Sequence, residues 1–196
     1  MNEKTIDYYN KNAKEFVGRT VGTDMGFCQK KFIELLEPGS LILDAGCGSG
    51  RDSKFFLGQG FRVQAIDASS KMCQMASEYT GLPVKCTRFE EIAYDSEFDG
   101  VWACASLLHV KKQELPDILW KFHKALKAGG IMYASFKYGN KEEERLERFF
   151  SDYKMDELKN VFLQDGLFEL VQISKTKDAR PDYEGKPWLN IIVRKN

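Results

Sequence analysis

Short apolar runs alternate with stretches of helical periodicity along most of this chain. No other feature constrains the fold as much. The runs "LILDA" (41–45), "FRVQAID" (61–67), "PVKCTR" (83–88), "DGVWACA" (99–105) and "IMYASFK" (131–137) are rich in β-branched and aromatic residues, as strands are. Between them, residues 51–60 read as a helix closing on Gly60, and residues 71–81 as a helix capped by Ser69 or Ser70 and stopped by Gly81. In the second helix Met72, Met75, Ala76 and Tyr79 fall on one face. Residues 113–130 repeat apolar side chains at Leu115, Ile118, Leu119, Phe122 and Leu126, with Pro116 in the first turn and Gly129-Gly130 as the stop. Strand and helix in this rhythm build right-handed βαβ units, hence a parallel sheet with helices on both faces.

The rhythm changes toward the C-terminus. Residues 144–166 carry a helical pattern, and "NKEEERLER" (140–148) reads as its solvated face with paired charges. Two strands follow, "LFELVQISK" (167–175) and "WLNIIVRK" (188–195), with no helix between them. A hairpin there places one antiparallel strand in an otherwise parallel sheet. Ahead of the first strand, residues 5–19 and 26–37 predict two helices over the upper edge of the sheet. The 196 residues suit one domain, with residues 1–36 as a helical lid and 37–196 as the α/β core.

Composition narrows the function classes. Lys+Arg and Asp+Glu are each 29, so the net charge is zero, which argues against a broad nucleic-acid footprint. The polar N-terminal stretch has no apolar core of a secretory signal, and no run reaches the roughly 18 apolar residues of a membrane span. The five cysteines form no C-x-x-C pair, which points to reduced thiols, no metal site and a cytoplasmic setting.

The first strand ends in "LDAGCGSGRDS" (43–53), with Gly46, Gly48 and Gly50 at alternate positions. In an open α/β sheet, ligands bind at the carboxyl ends of strands, and such a loop lets backbone N–H groups approach one. The spacing is G-x-G-x-G with Arg51 at the sixth position, which disfavours the G-x-G-x-x-G dinucleotide fingerprint and an NAD-dependent oxidoreductase. A P-loop lysine is also missing.

Together with Asp67 at the end of the second strand, in "AIDAS", the motif "LDAGCGSG" resembles class I S-adenosyl-L-methionine-dependent methyltransferases. Within them, "GCGSGRDS" and the short chain resemble the tellurite-resistance-type branch that acts on small molecules. The resemblance covers residues 40–135 well and implies a Rossmann-like, doubly wound, seven-stranded sheet. It implies S-adenosyl-L-methionine as cofactor, S-adenosyl-L-homocysteine as product and a small-molecule acceptor. Asp44, Ala45, Gly46, Cys47, Gly48 and Gly50 would form the cofactor loop, Asp67 would bind both ribose hydroxyls, and Ala68 would leave room for adenine. "TRFEEI" occupies the adenine-edge position, with the Phe89 N–H facing the ring. Where the family commonly has an acid for the adenine amino group, this chain has Arg88, which offers no acceptor, so Glu90 or a backbone carbonyl is the substitute.

Methyl transfer from a sulfonium needs alignment more than activation. The motif "CASLLHV" (104–110) after the fourth strand would put Ala105 and Ser106 near the methyl group and His109 as a base near neutral pH, or as a packing residue. From the lid helix, Tyr9 would pack on the methionine chain and Arg19 would meet its carboxylate. Lys137, Tyr138, Arg180, Tyr183, Lys186 and Trp188 cluster by topology at the same edge and would hold an anionic or planar acceptor. A tRNA or RNA acceptor, and a non-catalytic S-adenosyl-L-methionine-binding module, remain the alternatives. Oligomeric state is not legible.

Overall fold

The computed structural model describes residues 2–180 and 185–196. A helix α1 (Glu3–Thr20) and a short α2 (Gly26–Ile33) precede the first strand. Then come β1 (Leu41–Ala45), α3 (Arg51–Gly58), β2 (Arg62–Asp67), α4 (Ser70–Thr80), β3 (Lys85–Cys86), β4 (Phe98–Ala103), α5 (Leu115–Ala125) and β5 (Leu126–Lys137). The chain closes with β6 (Glu142–Arg145), β7 (Arg148–Ser151), α6 (Met155–Leu163), β8 (Phe168–Thr176) and β9 (Trp188–Lys195). The main sheet runs β3-β2-β1-β4-β5-β9-β8, with β9 antiparallel to both its neighbours and the other strand pairs parallel. This is the doubly wound, seven-stranded sheet with a C-terminal hairpin that the pattern and the resemblance imply.

Strand neighbours point to opposite faces, and the core divides accordingly. Leu43, Val101 and Met132 pack under Ile118, Leu119 and Phe122 of α5 and Phe162 of α6. Ile42, Trp102 and Tyr133 pack on the other face against Phe32 of α2 and Phe56 of α3. The second helix is therefore part of the core layer, and only its first turn, through Phe27 and Cys28, reaches the cavity described below. The lid is α1. On α4 the buried face is Met72, Cys73, Ala76 and Thr80, while Tyr79 is exposed.

Two stretches depart from the sequence reading. The α5 helix ends at Ala125, and the Gly129-Gly130 pair lies within β5. Phe98 pairs with Leu126 and Gly100 with Ile131, so residues 127–130 bulge opposite Asp99, and Gly129 takes φ +71° to make the bulge. Residues 142–151 form the β6–β7 hairpin, and helix begins only at Met155. Leu146 and Glu147, at φ +47° and +61°, make the two-residue turn that joins Arg145 to Arg148.

Candidate active site

The parallel strands end in loops that border a cavity of about 490 Å³. Helix α1 crosses it, contributing Ile6, Tyr9, Phe16 and Thr20 to the wall. Several contacts fasten this helix. Asn10 Oδ1 accepts from Ser69 Oγ at 2.7 Å, Thr5 Oγ1 accepts from the Phe149 N–H at 3.0 Å, and Glu3 pairs with Arg88.

The three glycines of the β1–α3 loop serve different ends, although all have positive φ. A Cβ on Gly46 would lie 2.4 Å from Ser106 Cβ, and one on Gly50 would lie 2.8 Å from Thr80 Cγ2 and 3.2 Å from Ala76 Cβ. Those two permit the loop to pack. Gly48 alone has open space, with the Phe16 ring at 3.8 Å across the cavity as its nearest neighbour.

Asp67 binds this loop to the end of β2. Its Oδ2 accepts from the Gly48 N–H at 2.9 Å and its Oδ1 from the Ser69 N–H at 2.8 Å. Burial raises its pKa, and the backbone amides of Ser69, Gly48 and Ala68 oppose the rise. The helix cap is Ser69, whose Oγ accepts from the Met72 N–H at 3.2 Å, so Asp67 is not the cap itself.

Behind the loop lies a buried acidic pair. Asp52 is held by Arg51 through two contacts of 2.8 Å, by Gln29 at 2.7 Å and by the Trp102 indole at 2.9 Å. Burial pushes its pKa up, but Arg51 outweighs that and the carboxyl stays below its usual range. Asp44 accepts from Ser53 Oγ at 2.6 Å. Burial, with repulsion from Asp52, raises its pKa to about 7. The Cys47 thiol, also buried, is pushed well above the usual thiol value and stays protonated.

His109 closes the short helical turn 107–109 after β4. Its Nδ1 lies 2.6 Å from the Phe149 carbonyl oxygen and its Nε2 2.9 Å from the Tyr9 hydroxyl. A carbonyl only accepts, so Nδ1 carries the hydrogen and Nε2 accepts from Tyr9. Burial lowers the histidine pKa to about 4, so it does not titrate near neutral pH as the sequence suggested. Just upstream, Ala105 sits at φ +52° and donates its N–H to Ser135 Oγ at 2.8 Å. A non-glycine residue in that conformation stores strain of about 1–2 kcal/mol.

On the β5 and β9 side, Asp178 collects the cations expected to face a substrate. It accepts from Lys137 Nζ at 2.9 Å, from Arg180 Nε and Nη2 at 2.8 Å, and from the Trp188 indole at 2.9 Å. Lys186 turns instead to Asp152, at 2.7 Å. Tyr183 lies outside the described residues.

The cavity wall thus brings together Tyr9, Gly46, Cys47, Gly48, Asp67, Ala68, Phe89, Ala105, His109, Lys137, Arg180 and Trp188. Asp44, Ala45 and Gly50 stand behind it: Ala45 is buried and its carbonyl accepts from Ser106 Oγ at 2.7 Å. Four other expected residues point elsewhere. Arg19 pairs with Glu15 one helical turn away at 2.8 Å, on the solvent side. Arg88 is committed to Glu3, Glu90 is exposed on the turn 89–91, and the Tyr138 ring lies under Lys175, whose Nζ is 3.4 Å from its centroid. Sequence reasoning missed Arg148 and Phe150, both on the wall, because their segment reads as a solvated helix. It also missed Asp178, whose role depends on partners far along the chain.

Residues 42–130 match the family model described as "Methyltransferase domain". Phosphoethanolamine N-methyltransferase 3 of Arabidopsis thaliana is 33% identical over 112 residues, which is 52% of this chain and 22% of that protein. The chain thus spans under a quarter of the length of this curated relative. Burkholderia thailandensis 1,6-didemethyltoxoflavin-N1-methyltransferase, solved with 1,6-didemethyltoxoflavin and S-adenosylhomocysteine bound, superposes with a TM-score of 0.75. That likeness has 24% identity and covers 98% of this chain and 90% of that one. A TehB-like S-adenosylmethionine-dependent methyltransferase from Corynebacterium glutamicum superposes with a TM-score of 0.72 at 19% identity, covering each chain in full at 100%. At these identities the structural likenesses establish the fold.

Proposed function

Because the chain belongs to the class I S-adenosyl-L-methionine-dependent methyltransferases, we propose that it transfers a methyl group from S-adenosyl-L-methionine to a small-molecule acceptor, releasing S-adenosyl-L-homocysteine. The observation that carries this reading is the joint position of Asp67 and Gly48 on the wall of one cavity. The Asp67 carboxylate spends one contact on each oxygen, to Gly48 and Ser69. A carboxylate has about four acceptor sites, so two are left for a pair of vicinal ribose hydroxyls. Gly48 leaves the backbone open to close approach, and Met72 and Phe89 supply apolar surface for an adenine. The cavity's volume of about 490 Å³ falls within the usual range of small-molecule sites, about 300–1,000 Å³. Those residues fit the cofactor.

Bound there, S-adenosyl-L-methionine supplies a methyl group already activated on a positive sulfur. What the chain adds is exclusion of water and a path for a proton. Helix α1 covers the cavity, and the neutral His109 holds the Tyr9 hydroxyl proton toward its Nε2. A hydroxyl or amine that accepts a methyl group becomes far more acidic as the new bond forms. Its proton would pass to the Tyr9 oxygen as the Tyr9 proton passes to His109 Nε2. A weak base suffices for so acidic a proton, which suits the depressed histidine pKa.

The zero net charge weighs against an RNA acceptor, whose phosphates call for a basic face. Two of the proteins named above are, by their names, N-methyltransferases of phosphoethanolamine and of 1,6-didemethyltoxoflavin, both small molecules. Calorimetric titration with S-adenosyl-L-methionine, S-adenosyl-L-homocysteine and NAD tests the cofactor. Micromolar binding of the first two and none of NAD is expected, with a loss of about a hundredfold or more in Asp67→Ala. Binding of NAD alone, or of none of the three, overturns the reading. Methyl transfer from labelled cofactor to a panel of small amines, phenols and carboxylic acids then separates an enzyme from a mere binding module.

A further inference from the structure

Three of the cations on the cavity wall have clear electrostatic partners: Arg51 pairs with Asp52, and Arg180 and Lys137 both pair with Asp178. Lys177 is exposed to solvent. Arg148 differs from all of these. Among the described residues no carboxylate forms an ion pair with it, and its buried Nε has no hydrogen-bond acceptor. What surrounds its guanidinium is aromatic: the carbon lies 4.5 Å from the centroid of Tyr8, 5.3 Å from Phe150 and 5.9 Å from Tyr9. Aromatic faces attract a guanidinium, and the Tyr9 hydroxyl oxygen accepts one hydrogen bond from it, but none of these groups supplies a counter-charge or an acceptor for Nε. A half-buried cation without a counter-charge is costly, and in a ligand cavity the missing partner is an anion.

The topology says which ligand would bring it. Asp67 and Gly48 lie at the ends of β2 and β1, on one side of the switch point where the strand order reverses between β1 and β4. Arg148 begins β7, in the hairpin that follows β5, and β7 packs on the 107–109 turn that carries His109. The guanidinium therefore belongs to the far half of the cavity, beside the Tyr9–His109 pair and across the switch point from the ribose site. Resting on the methyl-transfer reading above, we propose that the methyl acceptor carries an oxyanion, phosphate or carboxylate, which Arg148 binds through its planar fork. Arg148 then determines acceptor specificity and orients the acceptor's nucleophilic atom next to the Tyr9 hydroxyl.

The test uses three probes of similar size, phenyl phosphate, benzoate and benzyl alcohol, titrated into the full chain saturated with S-adenosyl-L-homocysteine. One of the two anions is expected to bind about tenfold or more tightly than the alcohol, and which one wins distinguishes phosphate from carboxylate. Arg148→Gln should erase that preference while changing S-adenosyl-L-homocysteine affinity by less than about threefold. Arg148→Lys, which keeps the charge and loses the fork, should retain part of the preference and guards against a misfolded Gln variant. Equal binding of all three probes by the unaltered protein overturns the proposal. So does unchanged anion binding in Arg148→Gln, or an equal loss of S-adenosyl-L-homocysteine affinity, which would assign the guanidinium to the cofactor's own carboxylate. If S-adenosyl-L-homocysteine does not bind the unaltered protein, the methyl-transfer reading fails on its own, and the same three titrations without it still decide whether Arg148 selects anions.

Discussion

The Tyr9 hydroxyl lies 2.9 Å from Nε2 of His109, a residue 100 positions away, and joins the lid helix to the loop after β4. Because the Phe149 carbonyl holds Nδ1 as the donor, the tautomer is set and the Tyr9 proton points at the ring. The contact therefore ties the position of α1 to the only histidine on the cavity wall among the described residues.

Breaking that contact should slow turnover more than it weakens cofactor binding. Tyr9→Phe keeps the ring that packs edge-on against Phe16 at 5.0 Å and removes only the hydroxyl. A fall in kcat on the order of a hundredfold is expected for a proton-bearing acceptor, with S-adenosyl-L-homocysteine affinity within about threefold. His109→Gln should give a similar loss, and the double variant should be little worse than either, because the two groups act as a unit. Independent, multiplying losses in steady-state kinetics would show that they do not.

The depressed histidine pKa makes a stability prediction with a definite sign. An unfolded histidine takes a proton near pH 6.5, whereas the folded one resists until about pH 4. Between those values the unfolded state binds more protons, so this contribution is complete above about pH 6.5 and is lost as pH falls toward 4. The span is worth about 3 kcal/mol. Asp44 opposes it: its pKa is raised to about 7, so its contribution is present at low pH and lost as pH rises through that value. Urea unfolding of the protein and of His109→Gln across pH 4.5–7.5 separates the two. The variant should lose less stability on acidification, and identical slopes would place His109 in a solvated setting.

Alanine at each loop glycine should give three distinct outcomes. Gly46→Ala drives a methyl to 2.4 Å from Ser106 Cβ, and Gly50→Ala drives one to 2.8 Å from Thr80 Cγ2 and 3.3 Å from the Ala76 backbone. Both should cost upward of about 3 kcal/mol, combining the overpacking with the left-handed backbone. Gly48→Ala meets nothing nearer than 3.8 Å and should cost only the backbone strain, about 1–2 kcal/mol. Its methyl instead enters the cavity, so S-adenosyl-L-homocysteine affinity should fall about tenfold or more while the fold survives. Thermal melts beside calorimetry decide, and full affinity in Gly48→Ala would sink the close approach of the cofactor to that backbone.

The parts of the site legible in sequence are those whose reasons are local. Strand, glycine loop and acid follow one another within residues 41–67, and the βαβ rhythm fixes where their ends meet. Residues 142–151 were illegible for the opposite reason. Glu, Arg and Leu favour helix, yet the segment pairs as a hairpin because its interactions reach across the fold. Phe149 donates to Thr5 and accepts from His109, Ser151 donates to the Val110 carbonyl at 2.8 Å, and Arg145 grips Asp152 at 2.6 Å. No glycine marks the turn at Leu146 and Glu147, so the usual hairpin signal is missing. Arg148 went unseen with it. Arg19 errs differently: it sits on the right helix, but one turn's register sends it to Glu15 and to solvent.

Asp178 should prove the anchor of the segment that links β8 to β9. Its side chain is 4% exposed and takes donors from Lys137, Arg180 and Trp188, so its carboxyl is held well below the usual range despite burial. That stability is complete above about pH 3.9 and is lost only as pH falls toward the lower folded value. Asp178→Asn keeps the shape but removes the charge to which two cations donate, and should cost about 3 kcal/mol in urea unfolding. Lys137→Met should cost less, about 1 kcal/mol, because Asp178 keeps Arg180. Lys137 also stacks on Trp188, with Nζ 3.8 Å from the ring centroid, so part of that loss is packing. Combining the two substitutions should cost less than their sum by about 1 kcal/mol or more, since the carboxylate and the ammonium share one interaction. Strict additivity would mean that Asp178 acts through Arg180 and Trp188 alone, with Lys137 a bystander on the cavity wall.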